Sequence, residues 1–374
     1  MIKTPEFALY PEVQPPAYSR WIASGMVLCT LAGGTTVLLR AFIEARLAVA
    51  GVTLVLLIWL LALLVRVVFY RVNQHNARCY AMSVEQVQRT WWARHRQTVA
   101  LVEAVLLGPT CSAPEHRGSF FDPDHQPALV QEMPEGAVIR LRQILGRETV
   151  ERERQLAIFL ALQWREQRGD GPLADPLRCY WQGSANAWRA FVTEVKKIYP
   201  QVQLPELPEP WQGIGSLDEI IDLLQGMSAD TCILCAGVQS TPPESDRRFP
   251  GGEAAVLWLL GSQSGVRFLR GEWFSADVDE LPKVVERAQQ QSSFEVSAPI
   301  CVSLLQPDIP AIRWNTRQNV QNTHFGALEN LEAMVLQTLA AWYAEQHGVP
   351  CAWLASDPHH TLALGIVEPD DSSS

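Results

Sequence analysis

Residues 232–260 read CILCAGVQSTPPESDRRFPGGEAAVLWLL, two apolar runs separated by a polar, proline- and glycine-containing loop. Residues 232–236 and 256–260 are apolar at consecutive positions, as in strands covered by helices on both faces. The loop, 241–252, carries Pro242-Pro243, Asp246, Arg247, Arg248 and Gly251-Gly252. It follows the C-terminal end of a buried strand, where ligands bind in α/β sheets. Asp246, Arg247 and Arg248 are therefore candidate exposed binding residues, although a solvated loop has the same composition.

Outward from this stretch the patterns alternate. Further strands are predicted over 99–107, 178–181, 266–274, 300–305, 351–355 and 362–367, and helices over 148–167, 185–199, 216–227, 278–290 and 327–347. Trp188, Phe191, Val192, Val195 and Ile198 make one apolar helical stripe, and Ser216 with Glu219 three residues on has the pattern of a helix cap. The fold class expected for 97–367 is α/β with a mixed sheet. Prolines break 200–210 into a linker, and the acidic, serine-rich tail 368–374 is expected to be disordered.

The N-terminal region has a different pattern. Residues 21–39 and 47–65 are runs free of acidic and basic side chains, bracketed by Arg20, Arg40, Arg46 and Arg66. At ~1.5 Å per residue each run spans ~28 Å as a helix, close to the ~30 Å core of a bilayer. Gly33-Gly34 and Thr35-Thr36 lower the apolarity of the first run but suit close helix contact in lipid. The short connector makes the pair an antiparallel transmembrane hairpin. Lys3, Arg20, Arg66, Arg71 and Arg78 flank the hairpin on one side, against Arg40 and Arg46 in the connector, which predicts cytoplasmic N- and C-termini at a bacterial inner membrane. The expected organisation is a cytoplasmic tail (1–20), a hairpin (21–66), a basic juxtamembrane helix (67–96), the cytoplasmic α/β domain (97–367) and the tail.

Formal net charge is −10, yet basic residues cluster just beyond the hairpin, where Arg66, Arg71, Arg78, Arg89, Arg94 and Arg96, with Trp91 and Trp92 between them, read as a collar for anionic lipid headgroups. No basic face follows that could track nucleic acid. The eight cysteines lack framework spacing and suit reduced, buried positions.

Several residues could carry chemistry. Cys232 and Cys235 have redox or half-zinc spacing, but no second pair completes a site, and strand alternation places them on opposite faces. His359-His360 follows Asp357-Pro358 in what reads as a surface turn. Gly213 and Gly215 are two loop glycines. No metal site, cofactor fingerprint or nucleophile motif is present.

Cys232-Ile-Leu-Cys-Ala-Gly-Val-Gln-Ser240, followed by Pro250-Gly-Gly-Glu-Ala-Ala255, resembles the segment of β-ketoacyl synthases and other thiolase-like enzymes in which a central strand ends in a turn and a G-E-A-A run opens the next. Asn322-Thr-His-Phe-Gly-Ala-Leu-Glu329 is similar to the turn where that family places an active-site histidine. The resemblance covers 216–367 and implies a thiolase-like fold. The family needs a nucleophilic cysteine at a helix N-terminus, with histidines and an oxyanion hole. No cysteine occupies the expected turn, and His324 is displaced by one position. The resemblance thus implies a degenerate, noncatalytic domain.

Residues 20–110, including Trp91-Trp92-Ala-Arg-His-Arg96, also look like accessory membrane proteins of bacterial type VI secretion systems, which implies recruitment of a secretion component or effector. The expectation is an inner-membrane adaptor or scaffold that binds a protein partner without cofactors, its surface including Asp246, Arg247, Arg248 and His324. Trp181, Trp188, Trp211, Trp273 and Trp314 fall near predicted element ends where contacts are made, and core packing is the alternative reading for each. The alternative is a membrane-tethered acyl-transfer or condensing enzyme using Cys235, or Cys232, with His324.

Overall fold

A computed structural model describes residues 5, 7–38, 44–113, 115–122, 124–169, 176–262, 265–292, 300–304, 314–316 and 319–370. The chain divides into two compact units, Met1–Ala93 and Arg94–Ser374.

The first unit is built from α1 (Tyr18–Leu38) and most of α2 (Ala45–His95). Both are long and apolar enough to cross a membrane, and their apolar side chains point outward, whereas a core helix would bury them. The close approach between them is at Gly25, where an added Cβ would meet the Trp59 ring at 2.8 Å. Trp59 Nε1 donates to Ser24 Oγ at 3.3 Å. Gly33 and Gly34 have open space, and the Thr35 and Thr36 hydroxyls donate to carbonyls of their own helix. The predicted contact motif is therefore not the one used. Arg66 donates to Gln14 O and Tyr80 to Ala8 O, so the N-terminal segment runs antiparallel along α2. Arg20, Arg46, Arg71 and Arg78 lie on these helices, and Arg40 lies outside the described residues. Trp91 and Trp92 pack edge to face, centroids 4.7 Å apart.

The second unit runs β1 (Val99–Leu107), α3 (His116–Ser119), β2 (Val130–Met133), β3 (Gly136–Ile139), α4 (Thr149–Arg168), β4 (Arg178–Gln182), α5 (Ala185–Ile198), β5 (Glu209–Pro210), α6 (Ile214–Leu224), β6 (Cys232–Ser240), β7 (Glu253–Gly261), β8 (Val266–Phe268) and β9 (Glu272–Phe274). It continues through α7 (Leu281–Gln291), β10 (Ile300–Ser303), β11 (Asn319–Val320), α8 (Asn322–Phe325), α9 (Glu332–His347), β12 (Cys351–Ser356) and β13 (Leu362–Glu368). Among the described residues an 11-stranded mixed sheet has the order β11-β10-β12-β13-β8-β1-β7-β6-β4-β5, with β9 on β13.

Side-chain alternation sorts the core into layers. Cys232, Leu234 and Ala236 of β6, with Ala255 and Leu257 of β7, pack under α4 and α5. Ile233 and Cys235, with Val256 and Trp258, face α6 and α9. The same cluster takes Cys351, Trp353 and Ala363 from β12 and β13, so α6 and α9 lie between the two halves of the sheet. α7 covers the far face of the second half through Val284, Val285 and Ala288 against Leu354, Leu364 and Ile366. The result is five layers, α/β/α/β/α. The position of α9 explains why nearly its whole circumference is apolar. Trp258 Nε1 donates to Thr338 Oγ1 at 2.8 Å, tying β7 to α9.

Three sequence expectations shift. The helix predicted from 216 starts at Ile214, and the Ser216 hydroxyl accepts from Gln212 N–H instead of capping. The strand predicted over 266–274 breaks into β8 and β9 around Gly271, whose φ of +78° no other residue adopts easily. The helix predicted from 327 begins at Glu332, because the Ala327 N–H and carbonyl bond to Pro250 O and Gly252 N–H across the chain.

Candidate functional site

The loop 241–252 is pinned at its base. Thr241 N–H donates to Gly252 O, Gly251 N–H to Ala137 O, and Ile139 N–H to Gly251 O. Gly252 lies so close to the turn after α8 that an added Cβ would meet Phe325 O at 2.2 Å. At the tip, Asp246 is exposed and Arg248 lies over the Phe249 ring. Arg247, expected to be exposed, is only 21% so; it bridges Glu244 and Glu329 at 3.1 and 3.0 Å.

Beneath the loop sits a buried ionic cluster that sequence reasoning missed. Glu253, with no exposed surface, receives Arg152 Nε and Nη2 at 2.7 and 2.8 Å, Leu141 N–H at 2.8 Å and Ser240 Oγ at 3.0 Å. Arg140 reaches Ser240 Oγ and Thr241 O, both at 2.6 Å. Its components come from distant elements, so no local motif announces it.

His324, in α8, lies against a second histidine that also went unnoticed. Its ring is 5.1 Å from that of His125, and Phe120 packs on both at 5.3 and 5.1 Å. The segments are joined by Ala128 N–H donating to Thr323 O. Burial, with His125 beside it, pushes the His324 pKa down to about 4; burial also lowers that of His125, with His116 adding to the effect. Both rings are thus neutral near pH 7. His324 Nδ1 and His125 Nε2 are buried with no hydrogen-bond partner. A neutral imidazole offers one N–H and one lone pair, so the pair can donate to a carbonyl oxygen and accept a proton.

The cysteines do not complete this site. Cys232 and Cys235 occupy opposite faces of β6, as alternation predicts, and so cannot jointly hold a metal. Cys235 is fully buried among apolar side chains and burial raises its thiol pKa well above the usual value, so it is not an available nucleophile. This removes Cys235 from the enzyme alternative. Among the described residues no three potential metal ligands converge.

The pair 359–360 is more organised than a plain turn. Asp357 Oδ1 accepts the His359 and His360 N–H groups and lies 3.0 Å from His360 Nδ1, while the His360 ring stacks on Trp273. The Asp-Pro-His-His string already contained this Asx-type turn.

No family model matches the sequence, and no curated protein matches it. Among solved structures, the chain is similar to the acyltransferase ChlB3 (13% identity, TM-score 0.43, 73% of this chain and 98% of that one). It is similar also to the ishigamide ketosynthase/chain length factor (11%, 0.45, 73% and 99%) and to acetamide-bound OleA of Xanthomonas campestris (12%, 0.41, 73% and 99%). Residues 94–374 form a mixed α/β domain.

The solved structures similar to this chain are an acyltransferase and ketosynthase-type proteins, which goes against the expectation of a noncatalytic adaptor; they do not bear on a secretion role. The packing independently removes its premise of a tryptophan-rich contact surface. Trp181, Trp188, Trp211 and Trp314 are buried in the core, and only Trp273 of the five is half-buried.

Proposed function

We propose that residues 94–374 form a thiolase-like acyl-transfer enzyme acting on an acyl thioester, tethered to an inner membrane by α1 and α2. The observation that carries the reading is the apposed, neutral His125–His324 pair with unpartnered ring nitrogens. One imidazole N–H donates to the thioester carbonyl oxygen as negative charge develops there. The other ring removes the proton from an incoming hydroxyl or water, whose oxygen bonds to the carbonyl carbon; the C–S bond breaks and the proton passes to the departing thiolate. The six cysteines of this unit are buried, which favours direct transfer over an acyl-cysteine intermediate.

The outward-facing apolar helices and the excess of arginine on the tail side support the tether with both termini cytoplasmic. Arg66, Arg71 and Arg78 would meet anionic headgroups.

The test uses the full chain in detergent with acetyl- and octanoyl-coenzyme A, following release of free thiol. Thiol release that His324→Ala lowers by ~10²-fold or more, and Cys235→Ala leaves in place, is the expected result. Absence of release from both thioesters, or release indifferent to His324→Ala, would overturn the proposal.

A further inference from the structure

The ionic cluster under β7 contains two buried guanidinium groups and one carboxylate. Arg152 engages both oxygens of Glu253, whereas Arg140 approaches the nearer oxygen only to 3.9 Å and otherwise bonds to neutral acceptors, Ser240 Oγ and the carbonyls of Thr241 and Gly252. Arg140 is only 9% exposed, so this positive charge is not neutralised by bulk water.

Arg140 lines a cavity of about 470 Å³ together with Thr110, Ser112, Gln131, Arg142 and Gln143. No carboxylate contributes to its wall among the described residues. Arg142 is exposed and, among the described residues, pairs with no acidic side chain. The Thr110 hydroxyl is buried without a hydrogen-bond partner. Gln143 Nε2 donates to Ser112 Oγ, which orders the rim. Two guanidinium groups, an unused hydroxyl and two amides therefore converge on one concave space whose wall carries no carboxylate among the described residues. A site with these donors takes an oxyanion: Arg140 shares the single carboxylate of Glu253 with Arg152, so Arg140 and Arg142 leave the site with an excess of positive charge.

We propose that this cavity binds a phosphoryl group of a small ligand, held between Arg140 and Arg142 with Thr110 as a further donor. Binding does not depend on the histidine pair performing acyl transfer, and its test requires no turnover.

Inorganic pyrophosphate is titrated calorimetrically into the full chain in a nonionic detergent. Sodium chloride at matched ionic strength serves as control, with malonate as a carboxylate of comparable charge. Saturable binding of pyrophosphate is expected, weakened about tenfold or more in Arg142→Gln, with a smaller loss in Thr110→Val. Arg142 is exposed, so its replacement spares the core, whereas an Arg140 variant would disturb three hydrogen bonds of the cluster. The proposal is overturned by heats no larger than those with chloride, by equal affinity for malonate, or by Arg142→Gln binding as the parent does.

Discussion

Cys235 in β6 and His324 in α8 belong to the same apolar unit, and burial acts on them in opposite ways. Cys235 lies at mid-strand, paired with β4 on one side and β7 on the other and covered by α6 and α9; its thiol is held protonated. His324 lies in a single helical turn that leaves the ring half-buried, and the same desolvation keeps it uncharged. Desolvation disfavours the charged form of either group. For a thiol, whose reactive form is the anion, that is silencing; an imidazole is kept neutral, with one N–H to donate and one lone pair to accept, as a weaker base than a free one. A cysteine and a histidine suggested by one sequence resemblance thus have different prospects because of where each meets the sheet.

The largest expected effect comes from removing the support common to both. Glu253 opens β7 beside β6, and it holds Arg152 and the backbone of Leu141 behind the loop that contacts α8. Glu253→Gln leaves two guanidinium groups buried without a counter-charge, a loss of ~3–5 kcal/mol. Urea unfolding followed by the fluorescence of buried Trp164 and Trp258 checks this. A change below ~1 kcal/mol would mean that the cluster does not anchor the loop.

Next in size is the effect on turnover. His125→Ala and His324→Ala should each lower thiol release by ~10²-fold or more, and the double variant should lose little beyond either single one, as expected of groups acting as a unit. Losses that multiply would mean that the rings act separately.

How much of this was legible follows from how local each signal is. β1, β6, β7, β12 and β13 are dominated by apolar residues, and their bounds could be read to within four residues, those of β1 without error. The β2–β3 hairpin could not, because all four residues of β2 are exposed and supply no alternation. His324 was visible through its turn, but His125 sits among prolines and aspartates and gains meaning only when the chain returns to it. The Arg140–Arg152–Glu253 cluster is assembled across more than a hundred residues, with no periodicity linking its members.

A smaller effect separates the two regions by pH. His324 titrates near 4 when folded and near 6.5 when unfolded. Below 6.5 the unfolded chain binds a proton that the folded chain refuses until about pH 4. This contribution to stability is full at pH 7 and is lost as pH falls through that window. Urea midpoints of the parent should therefore drop between pH 7 and 4.5, and those of His324→Gln should drop less. Parallel curves would show that the ring is not desolvated.

The smallest effect is expected at Cys235. Removing its sulfur leaves a small void, worth about 1 kcal/mol by comparison with other single-group deletions in cores. Thiol release should be unchanged, because a thiol with a raised pKa contributes almost no thiolate at neutral pH. Brief treatment of the native protein with N-ethylmaleimide should accordingly modify exposed Cys79 and spare Cys235, with both reacting in urea. Labelling of Cys235 in the folded protein, or loss of turnover in Cys235→Ala, would place a reactive thiol inside β6. The contrast between the two regions would then fail at its first step, since burial would no longer be deciding which residue is available for chemistry.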